Sequence, residues 1–158
     1  MKESLKGGLS FGLTSGVITT MGLMVGLYAG TRSFKAVIGG VLTIAIADAL
    51  SDALGMHIHE ESENAHTPRE IWESTLATFV SKFVFSLIFI LPLFLFSLGV
   101  AMLINVVWGI GLVALLSYRL AKAQGTKPAK IITEHVIIAS VVVIVTHLAG
   151  RWIYSLIY

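Results

Sequence analysis

Long apolar stretches constrain this chain more than any other feature of its sequence. The longest runs for 40 residues, from Phe79 to Tyr118, which is too long for one helix across a bilayer and suits two. The whole chain is 56% hydrophobic and 13% charged, with a mean hydropathy of +0.87, whereas soluble domains are about one quarter charged. The sequence therefore predicts a single all-α integral membrane domain.

Five transmembrane helices are expected, because a barrel would instead show short strands of alternating polarity. The expected spans are 9–28, 34–58, 79–97, 100–118 and 131–148. A short polar segment, 59–75, joins the second and third spans. Lys82 is expected at the inner edge of the third span, too near the membrane surface to reach an acid at the middle of the bilayer.

The distribution of lysine and arginine sets the expected orientation. With five spans, the amino terminus shares one side with the segments 59–75 and 119–130. That side carries most of the basic residues, namely Lys2, Lys6, Arg69, Arg119, Lys122, Lys127 and Lys130. We therefore expect a cytoplasmic amino terminus and an outer carboxyl terminus. The sequence shows no organelle-targeting signal, which favours a prokaryotic plasma membrane.

Composition also narrows the classes of function. The absence of cysteine excludes disulfides and thiolate metal sites. A net charge of +2 gives no sign of a nucleic-acid partner. No nucleophile–base pair or cofactor motif is visible, and His57, His59 and His66 lack the spacing of a metalloprotease helix. The sequence thus predicts neither an enzyme nor a tightly bound cofactor.

Small residues recur at intervals of four along the first span. Such spacing lets helix backbones approach closely in lipid. The glycines expected to pack in this way are Gly12, Gly16, Gly22 and Gly26. Oxygen and sulfur ligands between them are Ser15, Thr19, Thr20 and Met24. Two interpretations remain open: a packing helix of a five-helix bundle, or a helix that lines a pathway or a dimer interface.

The second span contains two aspartates, Asp48 and Asp52, which lie four residues apart and so share one helix face. Met56 continues this face toward the cytoplasm. An aspartate at the centre of a lone span costs roughly 2.5–3.5 kcal/mol, so both acids need a basic partner, water or a cation. Two coupled carboxylates suit a site that exchanges metal for protons. The structural alternative is that they pair with a base or bond to threonines.

The polar segment after the second span holds a dense set of nitrogen and oxygen ligands. Its members are His57, His59, Glu60, Glu63, His66 and Glu70. Imidazole suits first-row ions such as iron and zinc, and carboxylate suits harder ions, manganese included. The segment is predicted to collect cations at the cytoplasmic mouth of a pathway. A solvated, charged interfacial helix would have a similar composition.

Two motifs in the first 60 residues resemble those of the vacuolar iron transporter family. The sequence "SGVITTMG" resembles the first-span signature of that family at Gly16, Thr19, Thr20 and Gly22. The sequence "ADALSDALGMH" resembles the second-span signature at Ala47, Asp48, Ala49, Ser51 and Gly55. The chain departs from the family pattern at three positions, where an acid is replaced by Ser15, a methionine by Asp52 and a glutamate by Met56.

The resemblance implies a homodimer that moves Fe²⁺ or Mn²⁺ out of the cytoplasm in exchange for protons. Zn²⁺ and Co²⁺ are further candidate cargoes. In this interpretation the pathway lies between two copies of the first span. Asp48 and Asp52 bind the ion, and Met56 favours the softer Fe²⁺. Two alternatives remain: a non-transporting helical scaffold, or a transporter of a different cation.

Overall fold

The computed structural model describes residues 3–157, and six helices hold most of them. The helices are α1 (Glu3–Thr31), α2 (Phe34–Ser62), α3 (Pro68–Ile88), α4 (Leu91–Leu95), α5 (Leu98–Ala123) and α6 (Pro128–Ile157). The described residues contain no strand, so the all-α prediction is confirmed. With α3 and α4 counted together, five helices are long and apolar enough to cross a membrane. Lys2, which contributed to the orientation argument, lies outside the described residues.

Helix α1 is the centre of the fold, because it contacts α2, α3, α5 and α6. Its glycines allow this. A Cβ atom on Gly12 would lie 2.1 Å from Oγ of Ser81 in α3, and one on Gly22 would lie 2.7 Å from a methyl of Val142 in α6. Gly16 similarly faces Lys82, and Gly26 faces Thr146. Both halves of the glycine pattern therefore allow close contact with helices of the same chain.

Helices α2 and α3 form a tight hairpin, and most of the polar segment 59–75 that was expected to join the two spans belongs to these helices. The connection is only residues 63–67, and α3 begins at Pro68, eleven residues before the expected start of the third span. Thr67 and Glu70 form a capping box, and Pro68 occupies the first turn, where its missing N–H costs nothing. Three hydroxyl side chains of this early part of α3, those of Ser74, Thr75 and Thr78, are buried between helices.

The third span is broken near its far end. Helix α3 ends at Ile88, and the short α4 carries Pro92 in its first turn. Asn105 of α5 donates its amide to the carbonyl oxygen of Phe89 at 3.0 Å, which satisfies a backbone acceptor freed by the break. The apolar core gathers at this level around Phe89, with Met21 and Met24 of α1 also fully enclosed.

Candidate functional site

One lysine joins α1, α2 and α3 at the middle of the bundle. Lys82 of α3 is completely buried, and its ammonium contacts Oδ2 of both Asp48 and Asp52. The same ammonium donates to Oγ of Ser15 in α1 at 2.9 Å. Ser15 in turn donates to Oδ2 of Asp52 at 2.6 Å. We call these four residues the Lys82 cluster.

The Lys82 cluster corrects the expectation that Lys82 lies too near the surface to reach Asp48. That expectation placed the start of the third span at residue 79. Because α3 begins at Pro68, Lys82 lies 14 residues into its helix, or about 21 Å along the axis. Asp48 lies the same distance from the turn on the other side, 14 residues before α2 ends at Ser62. The tight α2–α3 hairpin therefore brings Lys82 level with both aspartates.

The two aspartate side chains are partly exposed on the surface of the chain, whereas the lysine side chain is not. The side chains of Asp48 and Asp52 are 31% and 21% exposed, whereas that of Lys82 is 0% exposed. Lys82 thus approaches the carboxylates from within the bundle, and their other side opens on the surface of the chain. A cation could meet the carboxylates from that side without passing the lysine.

The other residues predicted for the pathway form no recorded hydrogen bond or ion pair with the side chains of the Lys82 cluster. Thr19 donates its hydroxyl to the backbone oxygen of Ser15 at 2.8 Å. Thr20 is buried and donates to Oγ of Ser86 in α3 at 2.9 Å. Met24 is buried in the apolar core, 3.9 Å from the amide of Asn105. Met56 is partly exposed on α2, one turn beyond Asp52.

The predicted cation-collecting residues form a second group at the α2–α3 turn. Glu60 is almost buried, accepts a hydrogen bond from Ser74 at 3.1 Å and lies 3.1 Å from Nε2 of His66. The same His66 nitrogen lies 3.6 Å from Glu63, which is also 3.5 Å from His59. These contacts tie the end of α2 to the turn and to α3.

Two further members of that predicted set have structural partners. His57 lies 2.9 Å from the hydroxyl of Thr75 and packs edge-on against Trp72. Glu70 accepts from the backbone and the hydroxyl of Thr67 in the capping box. Among residues 3–157, no three acidic or histidine side chains gather closely enough to hold a metal ion. The geometry therefore provides helix caps and pairs at this turn rather than a ready chelate.

The sequence identified the acids but not their partner. The capping box "TPRE", Thr67 to Glu70, was the available signal, because it marks a helix start and so places Lys82 deep in α3. Ser15, predicted only as an oxygen ligand on the first span, bridges the acid Asp52 and the base Lys82. The chain matches no protein-family model, no curated protein and no solved structure, so these comparisons identify no family for it.

Proposed function

We propose that this chain is a membrane transporter that exchanges a cation for protons at Asp48 and Asp52. The observation that carries the proposal is the partial exposure of both carboxylates at the middle of an apolar helix. Lipid cannot solvate a carboxylate, and ionisable groups at this depth generally mark ion pathways. Because one lysine can neutralise only one of the two carboxylates, a proton or a cation bound from the exposed side would neutralise the second.

The proposed assembly is a homodimer whose copies meet along α2. Small residues follow one another at every fourth position on an exposed stripe of this helix, namely Gly39, Thr43, Ala47, Ser51 and Gly55. The stripe runs directly beside Asp48 and Asp52. A second copy packed there would shield the carboxylates from lipid. The resemblance instead predicted a pathway between two copies of the first span, but α1 is the most enclosed of the five long helices.

The test is cation-driven proton movement in liposomes that contain the purified protein and an internal pH-sensitive dye. The panel includes Na⁺, K⁺, Mn²⁺ and Fe²⁺, the last two because the family resemblance predicts them. We expect the Asp48→Asn/Asp52→Asn variant to abolish the signal. Glu134→Gln is the matched control, since this exposed acid lies far along the sequence from the cluster and pairs with Lys130 one turn away on α6. Exchange that survives the loss of both aspartates would refute the proposal.

A second candidate is a non-transporting helical scaffold, and the pairing of Lys82 with both acids favours it. In that case the Lys82 cluster only joins three helices. The scaffold predicts no cation-dependent proton movement in the wild type. It also predicts that the variant Asp48→Asn/Asp52→Asn/Lys82→Met still assembles with a partner chain.

A further inference from the structure

The amino group of Lys82 lies among three oxygen atoms. It donates to Oγ of Ser15 and to Oδ2 of Asp52, and it forms an ion pair with Oδ2 of Asp48, a buried atom that has no hydrogen-bond partner in the described part of the chain. The site therefore places one basic side chain between two acidic ones, deep in the bundle.

Counting charges then limits what the site can carry. With both aspartates ionised and Lys82 protonated, the cluster has a net charge of −1. Among the side chains that the structure describes, no further charged group forms an ion pair with the cluster, and α1 contributes the neutral hydroxyl of Ser15. Within one protomer, one proton or one monovalent cation cancels this charge. A divalent ion held by a single protomer would leave a net charge of +1 in an apolar bundle, so the charge limit applies when the two clusters of the proposed dimer bind separately.

We infer that Lys82 determines the charge of the cargo, so that the site alternates between a proton and a monovalent cation. This inference rests on the proposed function and specifies its substrate class. In the exchange step a carboxylic acid of the Asp pair loses its proton to water, and the cation takes its place beside the carboxylate. One charge enters and one leaves, while Lys82 stays protonated throughout.

According to this inference, the net charge of Asp48, Asp52 and Lys82 decides whether the site prefers a monovalent or a divalent cation. Lys82→Met leaves an unbranched side chain of similar length and a net charge of −2, which favours a divalent ion. Asp48→Asn/Lys82→Met returns the net charge to −1 without an ammonium. Lys82→Arg keeps the positive charge. The wild type and these three variants therefore separate the effect of charge from the effect of lysine itself.

The experiment measures Na⁺, K⁺, Mn²⁺ and Co²⁺ binding by calorimetry on the full chain in detergent, with exchange in liposomes measured in parallel. We expect monovalent preference in the wild type, in Lys82→Arg and in Asp48→Asn/Lys82→Met. Lys82→Met should bind Mn²⁺ about a hundredfold more tightly than the wild type. If Lys82→Met unfolds alone, its recovery in Mn²⁺ is measured by thermal unfolding, and the double variant still tests the charge count.

The outcomes distinguish this inference from the function on which it rests. Exchange that requires Asp48 and Asp52 but carries Mn²⁺ or Co²⁺ in the wild type as well as Na⁺ overturns the valence rule and leaves transport standing. Divalent preference in Asp48→Asn/Lys82→Met also overturns it. A wild type that binds and exchanges no cation overturns both.

Discussion

At the scale of single residues, the Lys82 cluster makes each member depend on the others. Removing one partner of a buried ion pair typically costs 3–5 kcal/mol, because the remaining charge stays buried without compensation. Replacing all partners by neutral groups of similar size can cost little. The stability of this protein should therefore depend on the balance of charge in the cluster more than on any one of its side chains.

The first prediction follows from this balance. Lys82→Met in cation-free buffer should lower the free energy of unfolding by about 3–5 kcal/mol. The combined variant Lys82→Met/Asp48→Asn/Asp52→Asn should recover most of that loss. Unfolding of each protein in detergent, followed by circular dichroism, measures both. Equal destabilisation in the single and combined variants would show that packing of the lysine stem, and not charge, holds the site together.

Ser15 provides a second prediction at the same scale. Its hydroxyl donates to Asp52 at 2.6 Å and accepts from Lys82 at 2.9 Å, so Ser15→Ala leaves two charged groups each short of a partner. We expect a loss of about 1–3 kcal/mol in the free energy of unfolding. Thr19→Val is the control, since the Thr19 hydroxyl bonds to the backbone of its own helix. A larger loss in the control would contradict this assignment.

At the scale of helices, the sequence predicted the number and type of elements well, because hydropathy and glycine spacing are local signals. It placed the start of α3 poorly. The polar residues from Arg69 to Thr78 resemble a loop in composition, yet they are helical, and Ser74, Thr75 and Thr78 bury their hydroxyls by bonding to the backbone one turn earlier or to neighbouring helices. A polar composition alone does not distinguish a loop from a helix whose polar side chains are hydrogen-bonded within the protein. The misplaced start of α3 put Lys82 near the membrane surface and so concealed it as the partner of Asp48.

The close contact of α1 with α3 gives the third prediction. A methyl group at Gly12 would lie 2.1 Å from Oγ of Ser81 and 2.4 Å from the carbonyl oxygen of Thr78, so Gly12→Ala must push the helices apart. We expect a loss of about 1–3 kcal/mol in unfolding free energy. Gly111→Ala in α5 has no described atom within 4 Å of the new methyl group and should be neutral or slightly stabilising. Equal effects of the two substitutions would argue against this helix pairing.

At the scale of the whole molecule, orientation in the membrane is a prediction from charge. The chain has no native cysteine, so single cysteines report position without background. Ala65→Cys in the α2–α3 turn and Lys127→Cys before α6 should react together with reagents on the cytoplasmic side. Lys35→Cys at the start of α2 should react only from the outside. Labelling all three from one side would contradict the five-span arrangement.

The proposed homodimer gives the last prediction, which depends on where the carboxylates of Asp48 and Asp52 lie on the protomer. The carboxylates of Asp48 and Asp52 are partly exposed beside the small-residue stripe of α2. The described part of the chain leaves that stripe open, because a methyl group added at Gly39 or at Gly55 would meet no atom within 4 Å. Small residues let a second helix approach closely enough to exclude lipid from the carboxylates.

A bulky side chain on the stripe should therefore block assembly without disturbing the protomer. Gly55→Leu should shift the protein from dimer to monomer, as measured by light scattering in detergent and by subunit counting in liposomes. Gly111→Leu, an equally open glycine on α5, is the matched control and should leave the dimer intact. If Gly111→Leu separates the subunits and Gly55→Leu does not, the interface lies on α5. The second copy would then not cover the carboxylates. In that case a cation bound within each protomer, beside Lys82, would have to neutralise the second carboxylate.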